Sequence, residues 1–219
     1  MNRTAQVSVV GFVAAFFLIA CGEDDPVDTG PVEPCTGYPD WQTSDYVLPY
    51  QVGSAFSIVQ GNCSPTHGEG WNSHQSPGPW MYAYDFLMPV GTPIVAARGG
   101  TVVWANDDQP DDSDEGNGVV IDHGDGTYAG YGHLAFGGVS VIIGQQVGQG
   151  EQIALSGSSG TTTPHLHFHV SPCTDVDTGS CRSLPLTFRN TRSNPTGLIL
   201  GETYEALPYV AGLRKSGSD

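Results

Sequence analysis

Hydrophobic and polar positions alternate over short stretches of this chain, and glycine and proline separate the stretches. Such alternation is typical of β-strands with one buried face. The pattern predicts eight strands, at residues 94–97, 101–105, 118–122, 128–134, 139–143, 152–156, 165–170 and 184–188. No stretch longer than two helical turns has a clean period of 3.6 residues. The sequence therefore predicts a mostly β protein with an open or partly rolled antiparallel sheet.

Two glycine-containing turns predict which strands pair. Arg98-Gly99-Gly100 lies between the strands at 94–97 and 101–105, and its composition predicts a tight hairpin. Gly124-Asp125-Gly126 predicts a second pair from the two strands that flank it.

The N-terminus has the features of an export signal. Arg3 precedes an apolar run at residues 7–20, which is short for a membrane span because a helix needs about 20 apolar residues to cross a bilayer. The run ends in Leu18-Ile19-Ala20-Cys21, which resembles a bacterial lipobox, with cleavage before Cys21 and acylation of that cysteine. An ordinary signal peptide with an incidental cysteine is the alternative. The acidic, proline-containing segment at 22–34 has no apolar periodicity and suits a flexible tether.

The charge balance argues against nucleic acid as a partner. The 219 residues include 23 acidic and 7 basic side chains, a formal net charge of -16. Between Gly22 and Cys181 the only lysine or arginine is Arg98, whereas a phosphate backbone is bound by clusters of such residues. An acidic surface also does not attract anionic lipids or wall polymers in general. Binding to them would need an anchor or a specific groove.

The segment at residues 107–115 contains six carboxylates. It lacks the spacing of an EF-hand calcium loop, so we interpret it as a solvated surface turn.

The chain has four cysteines besides Cys21, namely Cys35, Cys63, Cys173 and Cys181. An even number in an exported protein indicates disulfides, and three connectivities are possible. Proximity in the sequence favours Cys173 with Cys181 and Cys35 with Cys63. Zinc–thiolate binding is the competing interpretation, but no close C-x-x-C pair is present.

The strongest chemical signal is the run His165-Leu166-His167-Phe168-His169. Alternate side chains of a strand share a face, so the three imidazoles project together while Leu166 and Phe168 point into the core. An H-x-H pair on a strand, near other histidine and aspartate residues, favours a metal site. A catalytic zinc needs three protein ligands and one open position.

Further ligands must come from elsewhere in the chain. The candidates are His74, Asp85, His123 and His133. Asp85 is the best acidic candidate, because its neighbours are apolar and a buried carboxylate is costly unless it is paired or coordinated. H-E-x-x-H is absent, and Gly157-Ser158-Ser159-Gly160 is not a G-x-S-x-G elbow, so neither a helix-borne zinc protease nor a serine hydrolase is indicated.

Three segments, in order, resemble the lysostaphin/LytM-type zinc peptidoglycan endopeptidases. They are D-F-L-M-P-V-G-T-P-I-V-A-A at 85–97, the stretch with I-D-H-G-D-G-T-Y and Y-G-H-L at 118–134, and the glycine-rich run ending in P-H-L-H-F at 144–170. The resemblance covers about half of the chain, residues 56–170.

This resemblance implies a fold, an activity and a domain plan. The fold would be a single antiparallel-sheet domain of the LytM type, like a duplicated hybrid motif. The activity would be that of a zinc-dependent metalloendopeptidase with one Zn²⁺, cleaving cross-links or stem peptides of peptidoglycan. We expect a lipoprotein signal peptide at 1–20, a tether and N-terminal extension at 21–45, the peptidase domain at 46–172 and a C-terminal extension at 173–219.

The resemblance also implies site residues. The zinc ligands would be an upstream histidine, Asp85 and His167, and the catalytic pair would be His133 and His165. The family's usual H-x-x-x-D motif is altered here, because Met81 stands four residues before Asp85. The first ligand is assigned to His74, with His67 in reserve.

Other residues near these motifs have less defined roles. His123 is interpreted as structural, and His169 either orients a ligand or packs on the sheet. Four aromatic residues could wall a groove or belong to the core or rim: Trp71, Trp80, Tyr82 and Tyr84.

The resemblance leaves two other functions open. One is a non-catalytic LytM-like lipoprotein that binds peptidoglycan or activates other wall hydrolases. The other is a secreted bacteriocin, which acylation at Cys21 would oppose because an acylated protein stays with its maker. The expected location is the bacterial cell envelope, with a membrane anchor at Cys21.

Overall fold

The computed structural model describes residues 35–63, 79–174 and 181–211. They form a short 3-10 helix, Trp41–Thr43, and eleven strands: β1 Ala55–Gln60, β2 Tyr84–Leu87, β3 Pro93–Val95, β4 Gly100–Asn106, β5 Gly118–Asp122, β6 Tyr128–Gly132, β7 Leu134–Val139, β8 Gln146–Val147, β9 Gln152–Ser156, β10 His165–Ser171 and β11 Thr203–Glu205. The predicted signal peptide, Cys21, His67 and His74 lie outside these residues. Within the described ranges, no helix has the length and apolar character needed to cross a bilayer.

The strands form two antiparallel sheets. The larger has eight strands in the order β11-β1-β2-β10-β6-β5-β4-β8, and the smaller has three in the order β3-β9-β7. One cluster of buried apolar side chains includes residues of both sheets, among them Ile94 and Ala154 of the smaller one and Phe86 and Leu166 of the larger one. The predicted mostly β, antiparallel class is confirmed.

Strand β10 shows why the alternating pattern produces this sheet. Leu166 and Phe168 have no exposed surface, and they face the core as predicted. The three histidines that alternate with them, at 165, 167 and 169, face the opposite side. Apolar residues at every second position thus bury one face of the strand and leave the other for polar groups.

The hairpin predicted around Arg98 is wrong. β3 pairs with β9, whereas β4 pairs with β5 and β8, so the turn carries the chain from one sheet to the other. Gly100 is needed at this crossing, because a Cβ there would collide with the backbone of Asp122 on β5. The second pair, β5 with β6 across the turn at 124–126, is confirmed.

Two further strand predictions are also wrong. At 139–143 the strand instead ends at Val139, and the chain turns back where the amide of Gln145 donates to the carbonyl of Ile142. The segment at 184–188 buries Leu186 and Phe188 but pairs with no strand. The amide of Leu184 donates to the carbonyl of Val170 in β10 (2.7 Å), but residues 165–168 of β10 are paired with β2 on one edge and 167–171 with β6 on the other.

The predicted C-terminal extension contributes to the same core. β11 pairs with β1 at the edge of the larger sheet, and Tyr204 is buried. Disulfides join Cys35 to Cys63 and Cys173 to Cys181, the pairing that sequence proximity favours. The domain boundaries themselves stay a prediction.

His123, directly after β5, is a buried residue whose protonation opposes folding. It is 6% exposed, its Nδ1–H donates to the carbonyl of Gly99 (3.0 Å), and its ring contacts Tyr46 edge-on. Nε2 has no hydrogen-bond partner among the residues described. Burial lowers the pKa of His123 because a charged imidazole loses its hydration.

We expect His123 to make stability fall with acidity. Below about pH 6.5 His123 binds a proton in the unfolded chain but stays neutral in the folded one. The free energy of unfolding therefore decreases as pH falls from about 6.5 to the lower folded pKa, by at most about 1.4 kcal/mol per pH unit. Urea unfolding at pH 7.5, 6.5 and 5.5 should show a shallower loss for His123→Phe than for the unmodified protein. Equal pH dependence in both would contradict this role.

Candidate functional site

One row of directly opposed residues crosses five strands of the larger sheet. It consists of Gln60, Asp85, His167, Gly132 and Gly118, on β1, β2, β10, β6 and β5. The row therefore places a carboxylate and an imidazole side by side, with two residues lacking side chains next to them. Neighbouring strands lie about 4.8 Å apart, so these groups are within contact distance.

Asp85 lies between two imidazoles. It is 3% exposed, its Oδ1 is 2.9 Å from Nδ1 of His167, and its Oδ2 is 3.4 Å from Nε2 of His165. Burial of a carboxylate is costly unless hydrogen bonds or cations compensate it. A proton on Nδ1 of His167 supplies a hydrogen bond to Oδ1, whereas Oδ2 faces His165 at a longer distance.

His165 and His133 are each held by a hydrogen bond from the same ring atom. The Nδ1–H of His165 donates to the carbonyl of Thr163, and that of His133 donates to the carbonyl of Ser159, each at 2.7 Å. Because a carbonyl oxygen only accepts, Nδ1 carries the proton and Nε2 of each neutral ring keeps a lone pair. The two ring centroids are 4.5 Å apart.

Burial is the main reason that His133 stays neutral. It lowers the pKa of His133 to about 4, and the neighbouring imidazoles of His167 and His165 add to this effect. The residue also adopts a positive φ of 60°, uncommon outside glycine, at the turn from β6 into β7.

A network of buried polar groups holds that turn. Asn117, 1% exposed, donates from its backbone amide to Oγ of Ser159 (2.9 Å) and from Nδ2 to the carbonyl of Leu134 (3.2 Å). Oγ of Ser159 donates to the same carbonyl (2.7 Å). The Ser159 carbonyl that accepts from His133 is therefore fixed from several sides. Sequence reasoning did not identify this network.

The third histidine of the run, His169, lies beside His167 under an indole ring. The ring of Trp80 meets His167 and His169 edge-on, with centroids 4.9 and 4.7 Å away. Gly130 is opposite His169 on β6, and a Cβ there would collide with the imidazole. Glycine at alternate positions of β6, facing the histidines, was a signal that sequence reasoning missed.

These residues line an open cleft of about 1190 Å³. Asp85 and the histidines lie on its floor, and its lining also includes Trp80 next to His167, and Trp104 and Asp114, the latter from the segment at 107–115. That segment packs on the loop after β9, where Gly160 donates to the carbonyl of Ser113 (2.9 Å). Tyr84 instead belongs to the core.

The structure brings four of the predicted site residues together: Asp85, His133, His165 and His167. His123 does not line the cleft. His74 and His67 fall outside the described residues, and within those residues no set of three or more His, Cys, Asp or Glu side chains has the geometry of a complete metal site. Two of the three predicted ligands, Asp85 and His167, are thus adjacent, and the first ligand stays a prediction.

Comparison with known proteins relates part of the chain to a peptidase family. Residues 81–178 match the profile of Peptidase family M23. The peptidoglycan DD-endopeptidase ShyA of Vibrio cholerae serotype O1 is 40% identical over 87 residues, 39% of this chain and 19% of that protein. The lipoprotein NlpD/LppB homolog of Pseudomonas aeruginosa is 35% identical over 112 residues, 51% of this chain and 36% of that protein. The solved antimicrobial peptidase lysostaphin from Staphylococcus simulans is 26% identical, covering 64% of this chain and 51% of that one, with a TM-score of 0.42.

The antiparallel sheet and the sequence match define a domain of the metallopeptidase class that includes peptidoglycan endopeptidases. Within that class, residues 81–178 are a peptidase M23 domain. The resemblance stated from the motifs is confirmed. The chain spans about a fifth and about a third of the two relatives named from their sequences, so its own activity is inferred separately.

We expect the network around Asn117 to hold His133. Asn117→Ala removes partners from buried carbonyls and should lower the free energy of unfolding by about 2 kcal/mol. The His133 imidazole should then sample other orientations, visible as broadened ¹H–¹⁵N correlations of its ring. Asn106→Ala, at the less buried end of β4, is the matched control and should change neither property. Sharp, unshifted His133 signals in Asn117→Ala would show that the network is not needed.

Proposed function

We propose that this protein is a zinc-dependent endopeptidase that cleaves peptide cross-links or stem peptides of peptidoglycan. The observation that carries the proposal is the buried Asp85, which contacts His165 and His167 on the floor of an open cleft beside His133. The M23 match and the similarity to a peptidoglycan DD-endopeptidase support the choice of substrate.

The donor set fits a zinc ion. Zinc in catalytic sites is bound by imidazole nitrogen and carboxylate oxygen, the groups that Asp85 and His167 offer. Oδ1 of Asp85 and Nδ1 of His167 are 2.9 Å apart, which requires a shared proton or a shared cation. Nε2 of His165 and Oδ2 of Asp85, both acceptors when the ring is neutral, face each other at 3.4 Å, a second position that favours positive charge.

Zinc would be held by Asp85, His167 and the upstream His74, and when bound it would lower the pKa of a water molecule and polarise the scissile carbonyl. His133 and His165 each offer a lone pair at Nε2, because Nδ1 of each is occupied by a carbonyl. They can therefore accept a proton from the attacking water and return it to the leaving amine. Both bonds from Nδ1 also keep the rings oriented while the proton moves.

We further propose that the protein is anchored in the cell envelope through an acylated Cys21. The short apolar run before this cysteine and the acidic tether after it support this location. The similarity to a lipoprotein of Pseudomonas aeruginosa agrees with it.

The alternative is a non-catalytic LytM-like lipoprotein that binds peptidoglycan or activates wall hydrolases. Such a protein would share the sheet but would not need the combination of Asp85 with His133, His165 and His167. Their presence in one cleft favours the enzyme.

The enzyme proposal predicts two classes of variant. In protein lacking residues 1–21, Asp85→Ala and His167→Ala should lose both bound zinc and muropeptide release, by at least about 100-fold in rate. His133→Ala and His165→Ala should keep zinc and lose about 100-fold or more in rate, because they remove proton transfer only. Metal analysis by mass spectrometry and chromatography of digested sacculi measure the two effects.

The same assays serve for the control variant and for the test of the first zinc ligand. His123→Gln, a buried histidine outside the cleft, should keep both zinc and activity. His74→Ala should lose zinc and activity as Asp85→Ala does, while His67→Ala should keep both. The reverse result would identify His67, rather than His74, as the first zinc ligand. Zinc without cleavage of any wall type would favour the non-catalytic alternative, and absence of zinc in the unmodified protein would refute the proposal.

The anchor proposal predicts that Cys21→Ser moves the protein out of the membrane fraction. Without an acyl chain, the acidic chain has no general attraction to an anionic bilayer. Fractionation of cells followed by immunoblotting measures this, with Cys173→Ser as a control that should stay with the membrane. Equal membrane content of Cys21→Ser and the unmodified protein would rule out the anchor.

A further inference from the structure

Trp104 reaches the cleft because of a β-bulge in β4. Val102 pairs with Ile121 and Trp104 pairs with Val120, so Val103 is an extra residue without a partner of its own. Val102 is fully buried, and strict alternation would send Trp104 into the core as well. The bulge reverses this direction, as bulges near functional sites often do. Trp104 consequently lines the cleft and is 44% exposed.

The indole of Trp104 lies against Gly118 of β5. A Cβ at Gly118 would be 2.8 Å from Cζ3 of Trp104, closer than real contacts allow. Glycine at this position therefore lets the ring lie against the backbone of β5. An indole that lies on backbone and faces a cleft offers a rigid apolar surface, and tryptophan is enriched at contact surfaces.

Gly118 also sets the distance from the ring to the catalytic centre. It opposes Gly132, and Gly132 opposes His167, so two strand spacings, about 10 Å, separate Gly118 from His167. An extended peptide advances about 3.3 Å per residue. A peptide that crosses the strands along this row would reach Trp104 with its third residue from the centre. The two glycines leave room for its backbone.

The described residues that line the cleft include no lysine or arginine that could hold an anionic substrate. From Gly22 to Cys181 the chain has one arginine or lysine, Arg98, and its guanidinium pairs with Asp125 at 2.6 Å outside the cleft. Near Trp104 the cleft is lined by Val103 and Val120. The indole with these two valines offers apolar and stacking contacts, and Asp114, which also lines the cleft, would repel an anionic group.

We propose that Trp104 forms a subsite for an uncharged, apolar part of the substrate peptide, about three residues from the bond that is cleaved. The inference rests on the proposed peptidase function and adds a length requirement to it. A sugar ring of the glycan also stacks on indole, but the distance along the glycine row matches an extended peptide that starts at the catalytic centre.

The test compares two cross-linked peptides without glycan, one extending two residues and one extending four residues from the scissile bond toward β5. For Trp104→Ala, kcat/KM on the long peptide should fall by about 3- to 10-fold, mainly through KM, while the short peptide is cleaved as before. Trp104→Phe should recover most of the loss. Phe136→Ala removes an exposed aromatic ring outside the cleft and should match the unmodified protein.

Three results would overturn the subsite: an equal loss on both peptides, no loss on either, or a loss that appears only when a disaccharide is attached to the peptide. Thermal unfolding of each variant separates these results from misfolding, and Trp104→Phe provides the comparison if Trp104→Ala is unstable. If the unmodified protein cleaves neither these peptides nor intact sacculi, the peptidase proposal fails. The subsite is then tested without catalysis, by calorimetric measurement of the binding of both peptides to the unmodified protein and to Trp104→Ala.

Discussion

The register between β2, β10 and β6 is the constraint on which the site depends. It aligns Asp85 with His167 and places Gly132 on the other side of that imidazole. A slip of one residue would turn the histidines of β10 into the core and Leu166 and Phe168 into solvent. The apolar face of β10 thus enforces the position of the polar groups on its other face, and the cost of exposing that face keeps them there.

A second constraint is space. Imidazole and indole rings are crowded onto one face of a sheet, and the residues opposite them are often glycines. Gly130 makes room for His169, and Gly118 makes room for Trp104. Glycine weakens a strand because it has no side chain to pack. At these positions the lower strand stability is accompanied by the space that forms the cleft. The buried network at Asn117 and Ser159 stiffens the adjoining turn.

Some features were predictable because they depend on local pattern. The alternation at 165–170 marked both β10 and the side of the sheet that carries the imidazoles, and the apolar neighbours of Asp85 marked a carboxylate that needs partners. Other features were not. The turn at 98–100 looked like a hairpin, but glycine there serves a crossing between sheets. The segment at 184–188 looked like a strand, but it bonds to β10 at Val170, beyond the residues of β10 that pair with β2, and forms no ladder.

The sequence by itself determined the β class, the histidine face of β10, the family resemblance and the candidate residues, because side-chain period and motif spacing are properties of neighbours along the chain. Only the tertiary structure decided that Asp85 lies against both His165 and His167, that the ring of His133 lies 4.5 Å from that of His165, and that a bulge brings Trp104 to the same cleft. These three features depend on cross-strand register and on contacts between residues far apart in sequence. Burial of one shared core determines both the register and those contacts.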